Sequence, residues 1–98
     1  MALTAEVLER LRADRSSLDR FGVRSIALFG SVARGEAGAG SDVDILVDYR
    51  ADARPDLFEF IDLKEHLEEL VGRRVDLVTP AALHPRLRDR ILAEAIYA

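Results

Sequence analysis

The sequence predicts an α/β (α+β) fold: a small mixed β-sheet with helices packed on it. Three observations carry that prediction. The chain has 98 residues, enough for one modest core, since a chain this short buries roughly 60–65% of its unfolded surface. Short β-branched runs alternate with longer stretches of helical periodicity, in the order α-β-(α)-β-α-β-α. There are no internal repeats and no long linker, so residues 1–98 read as a single domain.

The elements follow in order. Residues 4–20 read as one helix, with Val7, Leu8, Leu11 and Leu18 at helical spacing. Thr4 is its expected N-cap, Glu6 lies in its first turn, and Gly22 marks its end. R-S-I-A-L-F-G, residues 24–30, is the first strand, which Gly30 ends. S-V-A-R-G-E-A-G-A-G-S then reads as one helical turn and a loop. D-V-D-I-L-V-D-Y, residues 42–49, alternates and forms the second strand. Asp56, just after Pro55, opens a capping-box pattern, D-L-F-E. Leu57, Phe60, Ile61, Leu67, Leu70 and Val71 mark the expected buried face of the helix that follows, and Gly72 ends it. R-R-V-D-L-V-T, residues 73–79, is the third strand. Pro80 and Pro85 punctuate a loop. A final helix runs from Pro85 to about 96, with Leu87, Ile91, Leu92 and Ile96 expected inward.

Composition excludes several classes of function. There is no cysteine, so disulfides, thiolate zinc sites and cysteine nucleophiles are out. No apolar run is long enough for a transmembrane helix. The opening M-A-L-T-A-E-V-L-E-R-L-R-A-D-R is too charged for a signal peptide, so a cytoplasmic location is expected. Eighteen acidic against 14 basic residues give a net charge of −4, which disfavours broad nucleic-acid binding.

The topology gathers carboxylates. Alternation puts Asp42 and Asp44 on one face of the second strand, opposite Val43, Ile45 and Val47. A helix joins the second and third strands, so these should run parallel with their starts at one edge. Asp76, near the start of the third strand, can then join Asp42 and Asp44. A short link makes the first two strands antiparallel and brings Gly30-Ser31 to the same edge. Three carboxylates are hard ligands for Mg²⁺, and two such ions can clamp an in-line displacement. Gly30 and Ser31 offer open backbone, amide donors, a hydroxyl and a following helix turn, which suits phosphate. Together these describe a nucleoside triphosphate bridging loop and carboxylates. A P-loop motif, an EF-hand and H-E-x-x-H are all absent from the sequence.

G-S-V-A-R-G-E-A-G-A-G-S-D-V-D resembles the Gly-Ser…Asp-x-Asp signature of the polymerase-beta-like nucleotidyltransferases. Ten residues, 32 to 41, separate Ser31 from Asp42. A-R-G-E-A, Ser41 before Asp42, V-D-L-V-T-P and R-D-R-I-L-A-E-A-I-Y are similar to the minimal nucleotidyltransferases (MNT proteins) in particular. The resemblance covers the chain from about residue 24 onward. It implies a polymerase-beta-like nucleotidyltransferase fold, with Gly30 and Ser31 binding the triphosphate of ATP. Asp42 and Asp44 would bind Mg²⁺, and Asp76 would be a third carboxylate that helps deprotonate the attacking hydroxyl. The reaction would transfer AMP, or another nucleoside monophosphate, and release pyrophosphate. The resemblance further implies the antitoxin of a type VII-like toxin–antitoxin pair, whose partner is a helical HEPN ribonuclease adenylylated on a tyrosine.

Other residues stay open between roles. Arg34 can reach phosphates or sit on the surface. Ser41 is expected to cap the turn and orient Asp42 beside the nucleotide. Asp76 could instead pair with Arg73 or Arg74, and Asp42 or Asp44 with a nearby arginine. Asp48, about 13 Å along the strand from Asp44, reads as solvated or partner-facing. His66 and His84 read as surface residues, Arg86, Arg88 and Arg90 as a solvated face. Two rival functions stand beside the enzyme of a toxin. One is a non-catalytic module that occludes its partner; the other is a nucleotidyltransferase acting on RNA or a small molecule. Self-association is possible through an open sheet edge.

Overall fold

The structure, a computed structural model, describes residues 2–98. Helices α1 (Ala2–Ala13) and α2 (Arg15–Arg20) precede strand β1 (Val23–Phe29). A single-turn helix α3 (Gly30–Arg34) and a loop lead to β2 (Val43–Tyr49). Helix α4 (Leu57–Val71) crosses to β3 (Val75–Val78). A 3₁₀ turn (Pro80–Ala82), helix α5 (Pro85–Glu94) and strand β4 (Ile96–Tyr97) complete the chain. The sheet order is β3-β2-β1-β4. The β2–β3 pair is parallel, as the α4 crossover requires, and β1 is antiparallel to both β2 and β4.

The register follows from which side chains avoid water. Val43, Ile45 and Val47 are fully buried. Their cross-strand partners on the same face are Leu28, Ile26, Val75 and Leu77. These pack with Val7, Leu11, Leu18, Leu63 and Leu67 from the helices into one core. A slip of one residue would turn this set toward solvent. The expected capping box starts α4: Glu59 N–H donates to the Asp56 carboxylate at 2.8 Å, and Asp56 N–H donates to the Glu59 carboxylate at 3.4 Å. Gly72 ends α4 in the left-handed region at φ 71°.

Several expectations are corrected. The first helix is two, broken at Asp14, whose carboxylate lies 2.7 Å from His66 Nε2 on α4. His66 is accordingly half-buried, with its ring 5.2 Å from that of Phe21, and is not a free surface residue. Thr4 lies inside α1 and is no N-cap; its hydroxyl donates to the Val32 carbonyl of α3. On α4, Leu57 and Ile61 are 68% and 40% exposed, and the buried residues are Leu63, Leu67 and Val71. The final helix stops at Glu94, because Ile96 and Tyr97 pair with Leu28 and Ala27 of β1. Helix α5 packs on α3 and β1 but buries no residue fully, and Leu87 and Leu92 stay exposed. Among the described residues no helix is long and apolar enough to cross a membrane.

The buried phase of α4 gives a direct test. Leu63→Ala should cost about 2–5 kcal/mol, Asp56→Ala about 1 kcal/mol, and Leu57→Ala under about 0.5 kcal/mol. Urea unfolding of the three variants checks the order. A Leu57→Ala loss equal to that of Leu63→Ala would mean the helix is rotated from the position described.

Candidate active site

Register places the carboxylates. Asp44 and Asp76 are direct partners across the parallel β2–β3 pair, so both side chains share the face opposite the helical core. Neighbouring strands lie about 4.8 Å apart, which keeps these two acids side by side. Asp44 is half-buried and Asp76 exposed. Burial raises the Asp44 pKa above its ordinary value; the negative charges of Asp76 and then Asp42 raise it further, while Arg34 opposes them. Asp42 stands one residue before β2 and is exposed; it accepts a hydrogen bond from Arg74 Nε at 3.3 Å. The adjoining backbones are joined, since Val43 N–H donates to the Arg74 carbonyl at 2.9 Å. Arg74 therefore pairs with Asp42, leaving Asp76 without an ion pair among the described residues.

The Gly30 turn meets this pair from the other side. Phe29, the last residue of β1, is the cross-strand partner of Asp44, so the chain enters the turn against the Asp44 carboxylate. A Cβ on Gly30 would collide with Asp44 Oδ2, and Gly30 has φ +71°. A side chain there would displace the Asp44 carboxylate, and L-residues avoid that backbone conformation. Ser31 follows, half-buried, its carbonyl accepting the Glu36 N–H at 2.9 Å. Arg34 ends α3 and donates through Nε to Glu36 at 2.9 Å.

The loop back to β2 is closed locally. Gly38 N–H donates to Ser41 Oγ at 2.9 Å, and Arg73 Nη1 donates to the Gly38 and Ala39 carbonyls at 3.3 and 3.2 Å. Ser41 thus shapes the loop that delivers Asp42. Asp48, at the far end of β2, pairs with Arg24 on β1. His84 caps α5, its Nδ1 accepting the Arg86 N–H at 3.1 Å. Arg86, Arg88 and Arg90 are exposed.

Gly30, Asp44 and Asp76 therefore converge, and Arg34 is close enough to act on the Asp44 charge. Asp42 and Ser41 lie at the margin. The sequence reading missed Glu94, which accepts the Gly30 N–H at 3.1 Å and lies 3.4 Å from Arg34 Nη1; it offered Arg74 to Asp76, whereas Arg74 holds Asp42. Glu94 falls in the R-D-R-I-L-A-E-A-I-Y string, but only the β4–β1 pairing brings it to the turn. An open depression of about 530 Å³ lies between Lys64, Glu68, Glu69, Gly72, Arg73 and Arg74. It meets this site through Arg73 and Arg74.

The donor set suits Mg²⁺ in kind, because all three groups are carboxylates. The raised Asp44 pKa marks a deficit of positive charge that a cation would relieve. As placed, no three His, Cys, Asp or Glu side chains among the described residues are close enough to hold one ion. The fit is that of the Asp44–Asp76 pair, with Asp42 drawn aside by Arg74.

Comparison with known proteins agrees with this architecture. The nucleotidyltransferase domain family matches residues 8–98. The chain is 48% identical over 97 residues to the protein adenylyltransferase MntA of Thermococcus cleftensis, covering 97% of this chain and 96% of that protein. It superimposes on a solved structure described as a minimal nucleotidyltransferase with a TM-score of 0.74 and 46% identity, covering 91% of this chain and 93% of the other. A tri-AMPylated Shewanella oneidensis HEPN toxin in complex with its MNT antitoxin also aligns, with a TM-score of 0.56 and 18% identity over 88% of this chain and 69% of that one. That last likeness concerns the fold alone. With a Gly-Ser turn against paired strand aspartates, and relatives matched along almost its whole length, the chain belongs to the nucleotidyltransferase domain family, among its minimal nucleotidyltransferases.

Proposed function

We propose that this enzyme is a Mg²⁺-dependent protein adenylyltransferase that moves AMP from ATP to a tyrosine of a cognate HEPN-type toxin, and so acts as its antitoxin. One observation carries the reading: Asp44 and Asp76 stand side by side in register, with Gly30 packed against Asp44. Two unpaired acids beside an open backbone turn suit a metal-bound triphosphate better than any structural purpose. The relative in Thermococcus cleftensis is named a protein adenylyltransferase, and the Shewanella oneidensis complex contains an AMPylated HEPN toxin. Both support a protein acceptor; the tyrosine is what the resemblance to the minimal nucleotidyltransferases implies.

In this reading Asp44 and Asp76 would hold Mg²⁺, with Asp42 as the third carboxylate if it were released from Arg74. That exposed pair is worth at most about 1 kcal/mol. Bound there, Mg²⁺ supplies charge neutralisation for the triphosphate and the leaving pyrophosphate. Gly30 and Ser31 orient the phosphates, Arg34 adds a cation, and Ser41 keeps the loop closed behind them. The tyrosine oxygen attacks the α-phosphorus, forming the new P–O bond as the bond to pyrophosphate breaks. Asp76, the more exposed of the pair, takes the phenolic proton, and pyrophosphate leaves. The residues contribute positioning and charge; no covalent enzyme intermediate is involved.

The occluding-module reading has one observation in its favour: among the described residues no three carboxylates are close enough to hold one ion. Toxin protection in cells separates the two. An Asp42→Asn/Asp44→Asn double variant should lose protection if catalysis matters and keep it if occlusion suffices.

With α-labelled ATP, Mg²⁺ and the HEPN partner, Asp44→Asn should lower labelling on the order of 1,000-fold. Asp76→Asn should slow single-turnover labelling more than it weakens nucleotide binding. Labelling at the wild-type rate by the Asp44 variant would sink the assignment.

The raised Asp44 pKa also fixes a pH dependence. The folded protein holds this proton more tightly than the unfolded chain does. The resulting stability is complete below the ordinary carboxylate pKa and is lost as pH rises through the folded value. In metal-free buffer, Asp44→Asn should therefore raise Tm at pH 7, and the gain should vanish in acid. Melting curves across pH check this; an unchanged or lower Tm at pH 7 would contradict it.

A further inference from the structure

The two donors assigned above to the triphosphate already hold an anion, and that anion belongs to the chain itself. Gly30 N–H donates to Glu94 Oε1 at 3.1 Å, and Arg34 Nη1 lies 3.5 and 3.4 Å from the two Glu94 oxygens. A carboxylate offers these groups what a phosphate oxygen would: a charged acceptor for a backbone amide and a guanidinium.

The placement is built into the fold. Glu94 is the last residue of α5, and Ala95 N–H closes the helix onto the Ile91 carbonyl at 3.0 Å. One residue later the chain enters β4, pairing Ile96 with Leu28 and Tyr97 with Ala27. Those partners lie on β1, which runs directly into Gly30. Ala98 N–H adds a bond to the Ile26 carbonyl at 3.0 Å. The β1–β4 pair thus holds donor and acceptor at a fixed separation, and the Glu94 side chain is only 25% exposed.

The charge balance sets the direction of the effect. Arg34 is shared between Glu36 at 2.9 Å and Glu94 at 3.4 Å, so one cation faces two carboxylates. An arriving triphosphate must take Gly30 N–H and Arg34 from Glu94 and then tolerate the released charge nearby. Ligands without phosphate meet no such competition.

We propose that Glu94 is an internal competitor for the phosphate-binding donors of the Gly30 turn. It occupies Gly30 N–H and Arg34 when the site is empty, yields to the triphosphate, and returns as pyrophosphate leaves. It lowers affinity for the phosphate chain and leaves the nucleoside contacts alone. The inference rests on the nucleotide reading of the preceding subsection.

Titration calorimetry in Mg²⁺ buffer tests it, with a non-hydrolysable ATP analogue, inorganic pyrophosphate and adenosine as probes. Glu94→Gln keeps the shape and an acceptor but removes the charge; Glu94→Ala removes both. Each should bind the analogue and pyrophosphate about tenfold more tightly than wild type, with adenosine unchanged. In turnover, KM for ATP should fall without a rise in kcat. The Gly30 amide resonance should move in Glu94→Ala with no ligand present, which reads the hydrogen bond itself. If the alanine variant does not fold, the glutamine variant decides. Wild-type binding of the analogue with equal or weaker binding by Glu94→Gln overturns the proposal and leaves the nucleotide reading standing. Failure of wild type and variants alike to bind the analogue or pyrophosphate overturns both.

Discussion

The constraint on which the site depends is the contact between Asp44 and Asp76. Two acids of like charge are set side by side on adjacent parallel strands, and burial penalises one of them further. A hydrogen bond between the two carboxyl groups eases that arrangement, as does the nearby Arg34, but neither dictates it. It is imposed from the opposite face of the same strands, where Val43, Ile45, Val47, Val75 and Leu77 are buried. The side-chain period of a strand is two, so a register that buries those five must also bring Asp44 beside Asp76. Burying an aliphatic side chain is worth about 1.5–3 kcal/mol. Five of them outweigh repulsion between two partly solvated carboxylates.

The rest of the site is arranged around that pair. Position 30 takes glycine because a Cβ there would displace the Asp44 carboxylate. The cations are placed around the edge: Arg74 on Asp42, Arg24 on Asp48, and Arg34 between Glu36 and Glu94. Among the described residues, Asp44 and Asp76 alone of the strand-edge acids have no ion-pair partner. A net charge of −4 spread evenly would say little about function. Asp42, Asp44 and Asp76, gathered at one sheet edge beside the Gly30 turn, are where the proposed cation and its polyanionic ligand would sit.

Much of this was legible in the sequence because it rests on local rules. Alternation in D-V-D-I-L-V-D put Asp44 opposite the valines. A helix between two strands made them parallel, and so placed Asp76. The capping box at Asp56 and Glu59 follows from the spacing of three residues. What escaped depends on contacts between residues far apart in the chain. The break at Asp14 is tied to His66, 52 residues away. The exposure of Leu57 and Ile61 shows that the first turn of α4 carries its apolar side chains beyond the core; periodicity alone could not fix the phase of that helix. Ile96 fits a helical pattern but serves as a strand, because β1 has an open edge to fill. Glu94 escaped for the same reason, since its partner, Gly30, lies 64 residues earlier.

The three aspartates are therefore not equivalent, and the difference follows from how each is held. Asp44 and Asp76 belong to the ladder, so their separation is set by the strand spacing and changes only if the sheet does. Asp42 lies before β2 begins, on a loop closed by Ser41 and Arg73. Among the described residues its one ion-pair partner is the largely exposed Arg74, a contact worth at most about 1 kcal/mol. A site made of two fixed carboxylates and one weakly tethered one can be incomplete when empty and complete when occupied at little conformational cost. The same logic applies across the turn, where Glu94 rather than solvent satisfies the Gly30 amide. Both flanks of the central pair are thus closed by interactions weaker than those that hold the pair itself. The rigid part of the site is the part that the core dictates, and the adjustable parts are the ones a charged ligand would meet first.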